Sequence, residues 1–283
     1  MTLIDGKLVS KRICNEVAAE VATLKSAGGE VCLAVIIVGD DPASRVYVNN
    51  KKKRCADVGI KSLEFSLPAK TAQNELIELI EKLNADKTVN GILCQLPLPG
   101  HIDEKAVIEA IAPEKDVDCF SNINVGKLWT GDAEFLPCTP AGVMEMLKEY
   151  GIETRSKNCV IVGRSNIVGK PLAALMLQAD ATVTICHSKT ENLSDICRRA
   201  DILVAAIGRA EFIKADMIKD GAVVIDVGIN RKENGKLCGD VDFENGSKKA
   251  SFITPVPGGC GPMTIAMLMK NTLKAYEIQN QGG

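Results

Sequence analysis

The sequence predicts an α/β protein of two domains with a cleft between them, the second a parallel-sheet domain. Three observations carry that expectation. Short apolar runs rich in β-branched residues alternate with amphipathic stretches, the connectors between them are short, and the pattern restarts near residue 139. A chain of 283 residues is long enough for two cores of medium size.

In chain order, "CLAVIIVG" (Cys32 to Gly39) reads as a strand buried on both faces. A helix is expected from about Pro42 to Val58, then a shorter strand in "SLEFSL". "TAQNELIELIEKL" carries apolar residues at helical spacing and opens on Thr71, the expected N-cap. "NGILCQLPLPG" is a strand running into a Pro-rich loop. A helix near Glu104 to Ile111 follows, and then the loop-rich stretch "APEKDVDCFSNINVGKL".

From about Thr139, "TPAGVMEMLKEYG" has Pro in its first turn and Gly at its stop, the punctuation of a helix. The runs "CVIVG" (159–163), "TVTIC" (182–186), "ILVAAIG" (202–208) and "AVVIDVG" (222–228) are strands separated by helices. That alternation implies a parallel sheet covered on both faces. A last helix, about Pro262 to Ile278, follows "TPVPGGCGPMT" and is expected to pack back on the first domain. The domains are placed at residues 1–139 and 140–262, with the final helix from about 263.

Composition narrows the function. A content of 46% hydrophobic and 25% charged residues is that of a soluble globular protein. A formal net charge of -2 gives no electrostatic reason to expect nucleic acid or a membrane surface as partner. The longest apolar run, "VCLAVIIV", is too short to span a bilayer, and "MTLIDGKLVSKR" lacks the layout of a signal peptide. A cytoplasmic location is therefore expected. The eleven cysteines are scattered without a C-x-x-C, and His101 and His187 lie far apart, so reduced thiols and no metal site are expected.

"CVIVGRSNIVGKPLAALML" is laid out as strand, tight turn and helix, the arrangement in which a helix N-terminus receives a pyrophosphate. It departs from G-x-G-x-x-G, with Ser165 where the second glycine would stand and Gly169 one residue late. An ordinary strand-to-helix turn is the alternative. The next strand ends in "CHSKT", without the acid that would accept from a ribose hydroxyl. His187, Ser188, Lys189 and Thr190, with Arg164 in the turn, form a donor-rich set suited to a phosphate dianion. This favours NADP over NAD. Ser188 and Lys189 also fit an ordinary polar loop.

In the first domain, Tyr47 and Lys51 are four residues apart on the expected helix and share a face, while Lys52, Lys53 and Arg54 point elsewhere around it. Gln95 stands at the carboxyl end of a buried strand, where open α/β sheets bind ligands, and Asp118 lies in the loop beyond. Each alone also fits a solvated lysine or a turn aspartate. Spacing alone does not join these four residues into one site.

Almost end to end, the chain resembles the bifunctional methylenetetrahydrofolate dehydrogenase/methenyltetrahydrofolate cyclohydrolases of the FolD family. The resemblance is carried in order by "VGDDPASRVYVNNKKK", "GILCQLPLP", "PEKDVD", "PCTPAG", "VGRSNIVGKP", "DVGIN" and "TPVPGGCGPMT". It implies a Rossmann-type second domain and a folate-binding first domain. It also implies that Lys51 is the catalytic lysine, that Tyr47 stacks on the folate rings, that Gln95 tunes Lys51 and that Asp118 binds the pterin. The implied cofactor contacts are Gly163, Arg164, Ser165, Ser188 and Ile229. Pro257, Gly258 and Gly259 would line the folate side, with Cys260 where the family usually has valine. The activity implied is oxidation of 5,10-methylenetetrahydrofolate with NADP+, then hydrolysis to 10-formyltetrahydrofolate. The setting is one-carbon metabolism and purine biosynthesis, and the form a homodimer. A dehydrogenase with little cyclohydrolase activity, or a non-catalytic dinucleotide sensor, would have less use for Tyr47, Lys51, Gln95 and Asp118 together.

Overall fold

The structure is a computed structural model and describes residues 1–280. The chain divides into two compact units. One comprises Arg12–Cys138 and the chain from Ile265, the other Met1–Lys11 and Thr139–Thr264.

The chain opens with β1 (Thr2–Leu3) and α1 (Gly6–Ser26). Helix α1 lies outside the sequence expectation, although Val9, Ile13, Val17 and Val21 are all buried at one-turn intervals. Then come β2 (Cys32–Val38), α2 (Pro42–Val58), β3 (Lys61–Leu67), α3 (Gln73–Ala85), β4 (Gly91–Cys94) and α4 (Glu104–Ala110). The three strands form a parallel sheet in the order β3-β2-β4. All seven residues of the central strand are buried, as pairing on both edges and cover on both faces require. Leu76, Ile80 and Leu83 of α3 pack with Ala34, Ile36, Ile92 and Val107 in this unit's core.

Two local expectations are corrected here. Thr71 does not cap α3. The helix starts at Gln73 behind Ala72, whose N–H donates back to Glu75 at 3.2 Å, so the cap comes from inside the first turn. The stretch after α4 is not simply a loop. A single 3-10 turn at Pro113–Lys115 leads to α5 (Asn122–Thr130). Buried Asp116 organises this passage, accepting from the N–H groups of Phe120 and Ser121 and from Asn124 Nδ2 at 3.2, 2.9 and 3.0 Å. The Ser121 hydroxyl caps α5 and Gly131, at φ 87°, stops it.

The second unit runs through α6 (Cys138–Glu149), β5 (Asn158–Val162), α7 (Gly169–Gln178), β6 (Thr182–Cys186), α8 (Leu193–Cys197), β7 (Ile202–Ala205) and β8 (Val223–Asp226). A short antiparallel pair, β9 (Asn230–Arg231) and β10 (Leu237–Cys238), precedes α9 (Phe243–Gly246), β11 (Phe252–Ile253) and α10 (Cys260–Asn280). The sheet is parallel throughout, in the order β1-β11-β8-β7-β5-β6. Residues 1–11 were expected with the first domain. They group with the second because β1 pairs with β11, Thr2 opposite Phe252. Leaving β5, the chain goes first to β6 on one side and then to β7 on the other, so the strand order switches at the carboxyl end of β5.

All eleven cysteines are buried thiols outside any disulfide. Among the described residues no helix is long and apolar enough to cross a membrane.

Ile80 is wholly buried in the first unit's core, so Ile80→Ala should cost about 2–5 kcal/mol of stability, read as a lower denaturation midpoint in urea.

Candidate active site

Helix α2 begins behind Asp41, whose carboxylate accepts from Ser44 N at 2.7 Å, and ends at Gly59 in the left-handed region. Within it the residues of the basic run Lys51–Arg54 part company. Lys52 and Lys53 are exposed, and Lys52 pairs at the surface with Glu64 of β3 at 3.1 Å. Lys51 is buried, and its Nζ donates to Gln95 Oε1 at 2.9 Å. One turn earlier Tyr47 is exposed, leaving its ring available as a stacking surface.

Gln95 is held by its backbone as well as by its side chain. Its N–H continues the ladder past the end of β4 by donating to Ile36 O at 2.8 Å, and its Nε2 donates to Leu96 O at 2.7 Å. With Nε2 so engaged, Oε1 is the atom turned to the lysine.

Asp118 belongs to the same unit. Ile92 of β4 bridges Asp116 in parallel, which brings the "DVD" segment alongside the sheet. Burial raises the Asp118 carboxyl above its ordinary range and the nearby Lys51 ammonium lowers it, with burial the larger effect. Asn271 of α10 fixes the preceding residue, donating to Val117 O at 2.8 Å and to Leu136 O at 2.9 Å. The sequence gives no sign of Asn271's part, because its partners lie more than a hundred residues away. Lys51, Gln95 and Asp118 thus converge, with Tyr47 one helical turn off.

The remaining candidates lie in the other unit. Gly163 follows β5 with φ 138°, and a Cβ there would stand 2.1 Å from Ala206 O, so the turn and the chain after β7 approach as only glycine allows. Arg164 and Ser165 are exposed in the turn. The Ser165 hydroxyl accepts from Val168 N and Gly169 N at 3.2 and 3.3 Å, satisfying two amides at the start of α7. Ser188 is exposed after β6, in a turn closed by His187 N donating to Thr190 Oγ1 at 2.8 Å. Ile229, Pro257, Gly258 and Gly259 line one hollow of about 150 Å³, with Lys7 and Asp226 on its wall. The residues expected on the folate side therefore sit beside a residue expected to touch the dinucleotide, in a different unit from Lys51.

An open parallel sheet with a glycine turn at its switch point is the arrangement of the dinucleotide-binding α/β proteins. Comparison with known proteins narrows that class. The family model for the catalytic domain of tetrahydrofolate dehydrogenase/cyclohydrolase matches residues 4–118, and that for its NAD(P)-binding domain matches residues 137–280. The chain belongs to this family. It is 63% identical over 277 residues to the bifunctional protein FolD of Acetivibrio thermocellus, covering 98% of this chain and 97% of the relative. Among solved structures it is similar to the bifunctional FolD methylenetetrahydrofolate dehydrogenase/cyclohydrolase of Campylobacter jejuni (54% identity, TM-score 0.96, 98% and 99% of the two chains). It is also similar to the Trypanosoma brucei dehydrogenase-cyclohydrolase complexed with NADP cofactor and inhibitor (41% identity, TM-score 0.94, 98% of each chain).

Because the folded state raises the Asp118 pKa above its unfolded value, the protonated side chain is favoured by folding. The stability this gives is fully present below the ordinary carboxylate pKa and is lost as pH rises through the folded value. Asp118→Asn should therefore raise the melting temperature at pH 8 by more than at pH 4, measured by differential scanning calorimetry.

Proposed function

We propose that this chain oxidises 5,10-methylenetetrahydrofolate to the 5,10-methenyl form with NADP+ and then hydrolyses that product to 10-formyltetrahydrofolate. Family membership supports the pair of reactions. The observation that carries the reading at the level of atoms is the buried Lys51 Nζ held on Gln95 Oε1 at 2.9 Å with Asp118 in electrostatic reach.

The second unit suits a phosphorylated dinucleotide. Glycine at 163 lets the turn after β5 close against the Ala206 carbonyl, Arg164 and Ser188 are exposed in the turns after β5 and β6, and no acid stands at the carboxyl end of β6. Gly163, Arg164, Ser165, Ser188 and Ile229 are the residues that would hold it. Once bound, NADP+ supplies the hydride acceptor. For that step the protein has to align two flat ring systems and needs little proton transfer. Tyr47 offers the exposed ring on which a pterin stacks, and Asp118 the polar group that orients it.

Hydrolysis makes a different demand. Water adds to the methenyl carbon and gives up both its protons in turn as the formyl C=O forms. The ring nitrogen takes one as its bond to that carbon breaks, and the other leaves to solvent. Lys51 Nζ is the group that carries these protons. Gln95 Oε1 keeps the amine in one position through both transfers, with Asp118 beside it.

Lys51→Met should lower cyclohydrolase turnover about a hundredfold or more, followed as loss of methenyl absorbance, while the dinucleotide still binds. Cyclohydrolase activity at the parental rate would remove Lys51 from the mechanism. In dehydrogenase assays with each cofactor, kcat/KM for NADP+ should exceed that for NAD+ at least tenfold, and Arg164→Ala should narrow the gap.

A further inference from the structure

The mechanism leaves unused a wholly buried carboxylate in the dinucleotide unit. Asp240 has no exposed surface, and both of its oxygens are occupied. Oδ2 accepts from Ile207 N at 2.7 Å and Gly208 N at 3.0 Å, while Oδ1 accepts from Arg209 N at 2.8 Å and Asn230 Nδ2 at 2.9 Å. A buried carboxylate is costly unless its oxygens are satisfied, and here the donors are three successive backbone amides and one side-chain amide.

Those donors are not spread over the fold. Ile207–Arg209 is the chain leaving β7, and Asn230 follows Ile229 just beyond β8. Both lie at the carboxyl edge of the sheet, where such folds receive ligands. The held segment also starts next to Ala206, whose carbonyl faces Gly163. Asp240 is itself anchored. Asp226, at the end of β8, accepts from Asp240 N at 2.9 Å and Gly228 N at 3.0 Å through Oδ1, and from Val241 N at 2.9 Å through Oδ2. The fit is tight, since a Cβ on Gly228 would stand 2.3 Å from Asp240 Oδ1.

We propose that Asp240 is a positioning residue for the dinucleotide, setting the β7 and β8 loops that border it without touching it. The inference rests on the reading of this unit as the NADP site and adds a chemical consequence. The N–H groups of residues 207–209 all point to Asp240, and Arg209 O accepts from Phe212 N at 3.3 Å, so this segment offers a ligand the carbonyl oxygens of Ile207 and Gly208 and not amide donors. It suits ribose hydroxyls, and the phosphates are left to the Gly163 turn and its neighbours.

The test is Asp240→Asn in the full-length enzyme, which keeps the shape but turns an NH2 group against amide donors. KM for NADP+ and the Kd for NADPH, from fluorescence titration, should rise at least tenfold. Hydrolysis of methenyltetrahydrofolate, assayed without dinucleotide, should stay within twofold of the parent. An unchanged KM in a folded variant would overturn the proposal, and so would a parallel fall of both activities with the melting temperature. Should Asp240→Asn not fold, Asn230→Ala removes one donor and should raise KM for NADP+ at least twofold, again with hydrolysis intact; an unchanged KM would overturn the role. A parent enzyme that binds no NADPH would instead overturn the functional reading on which the inference rests.

Discussion

Parallel pairing on both edges of a strand is the constraint on which both halves of this molecule depend. A strand so placed has to be apolar on both faces, and all its neighbours end at the same edge. β2 meets the first demand with seven buried residues, and β7 and β8 are buried throughout. The second demand brings functional groups together. Past β4 the ladder continues by one bond, from Gln95 N to Ile36 O, so the glutamine has a fixed origin from which to reach Lys51. Past β5 it continues again, with Gly163 N on Cys186 O and Ala206 N on Val162 O. Each site begins where the sheet's hydrogen bonds run out.

Charge inside these units is handled by local acceptors and donors more than by ion pairs. Lys51 rests on an amide oxygen. Lys115, also buried, donates to Leu83 O and Asp86 O at 3.0 and 2.7 Å, closing the end of α3, and burial draws its pKa down. Burial pushes the Asp226 carboxyl up to about 7, against backbone donors from Asp240, Val241 and Gly228 that pull it the other way. Neutral partners of this kind fix direction as well as satisfying charge, because a carboxylate that accepts from consecutive amides dictates the path of the chain that bears them.

How much of this was legible in the sequence depends on the distance over which each feature acts. The strands at 32–38, 159–162 and 182–186 announced themselves as apolar runs, and the face shared by Tyr47 and Lys51 followed from four-residue spacing. What sequence could not supply was the meeting of Lys51 with Gln95 across 44 positions, or of Asp240 with Ile207 across 33. The resemblance to a known family filled the first gap and was silent on the second. Local misreadings had local causes. Thr71 looked like a cap, but Glu75 does that work from within the helix. The polar stretch "NINVGKLWT" hid a helix because buried Asp116, a tertiary feature, sets its entry. The grouping of residues 1–11 with the second unit rests on a two-residue strand, which leaves almost no trace in composition.

The burial of every cysteine has a consequence of a different kind. Desolvation pushes the Cys55, Cys94, Cys159 and Cys197 thiols up to about 12, so little thiolate exists at neutral pH and reagents cannot reach it. These four sit in α2, β4, β5 and α8, spread across both units. At these four positions the folded chain is thus silent to alkylating agents, and each modification event there records an opening of the segment that holds the thiol. The molecule carries its own set of reporters, by which the order in which its parts come apart can be timed without adding a label.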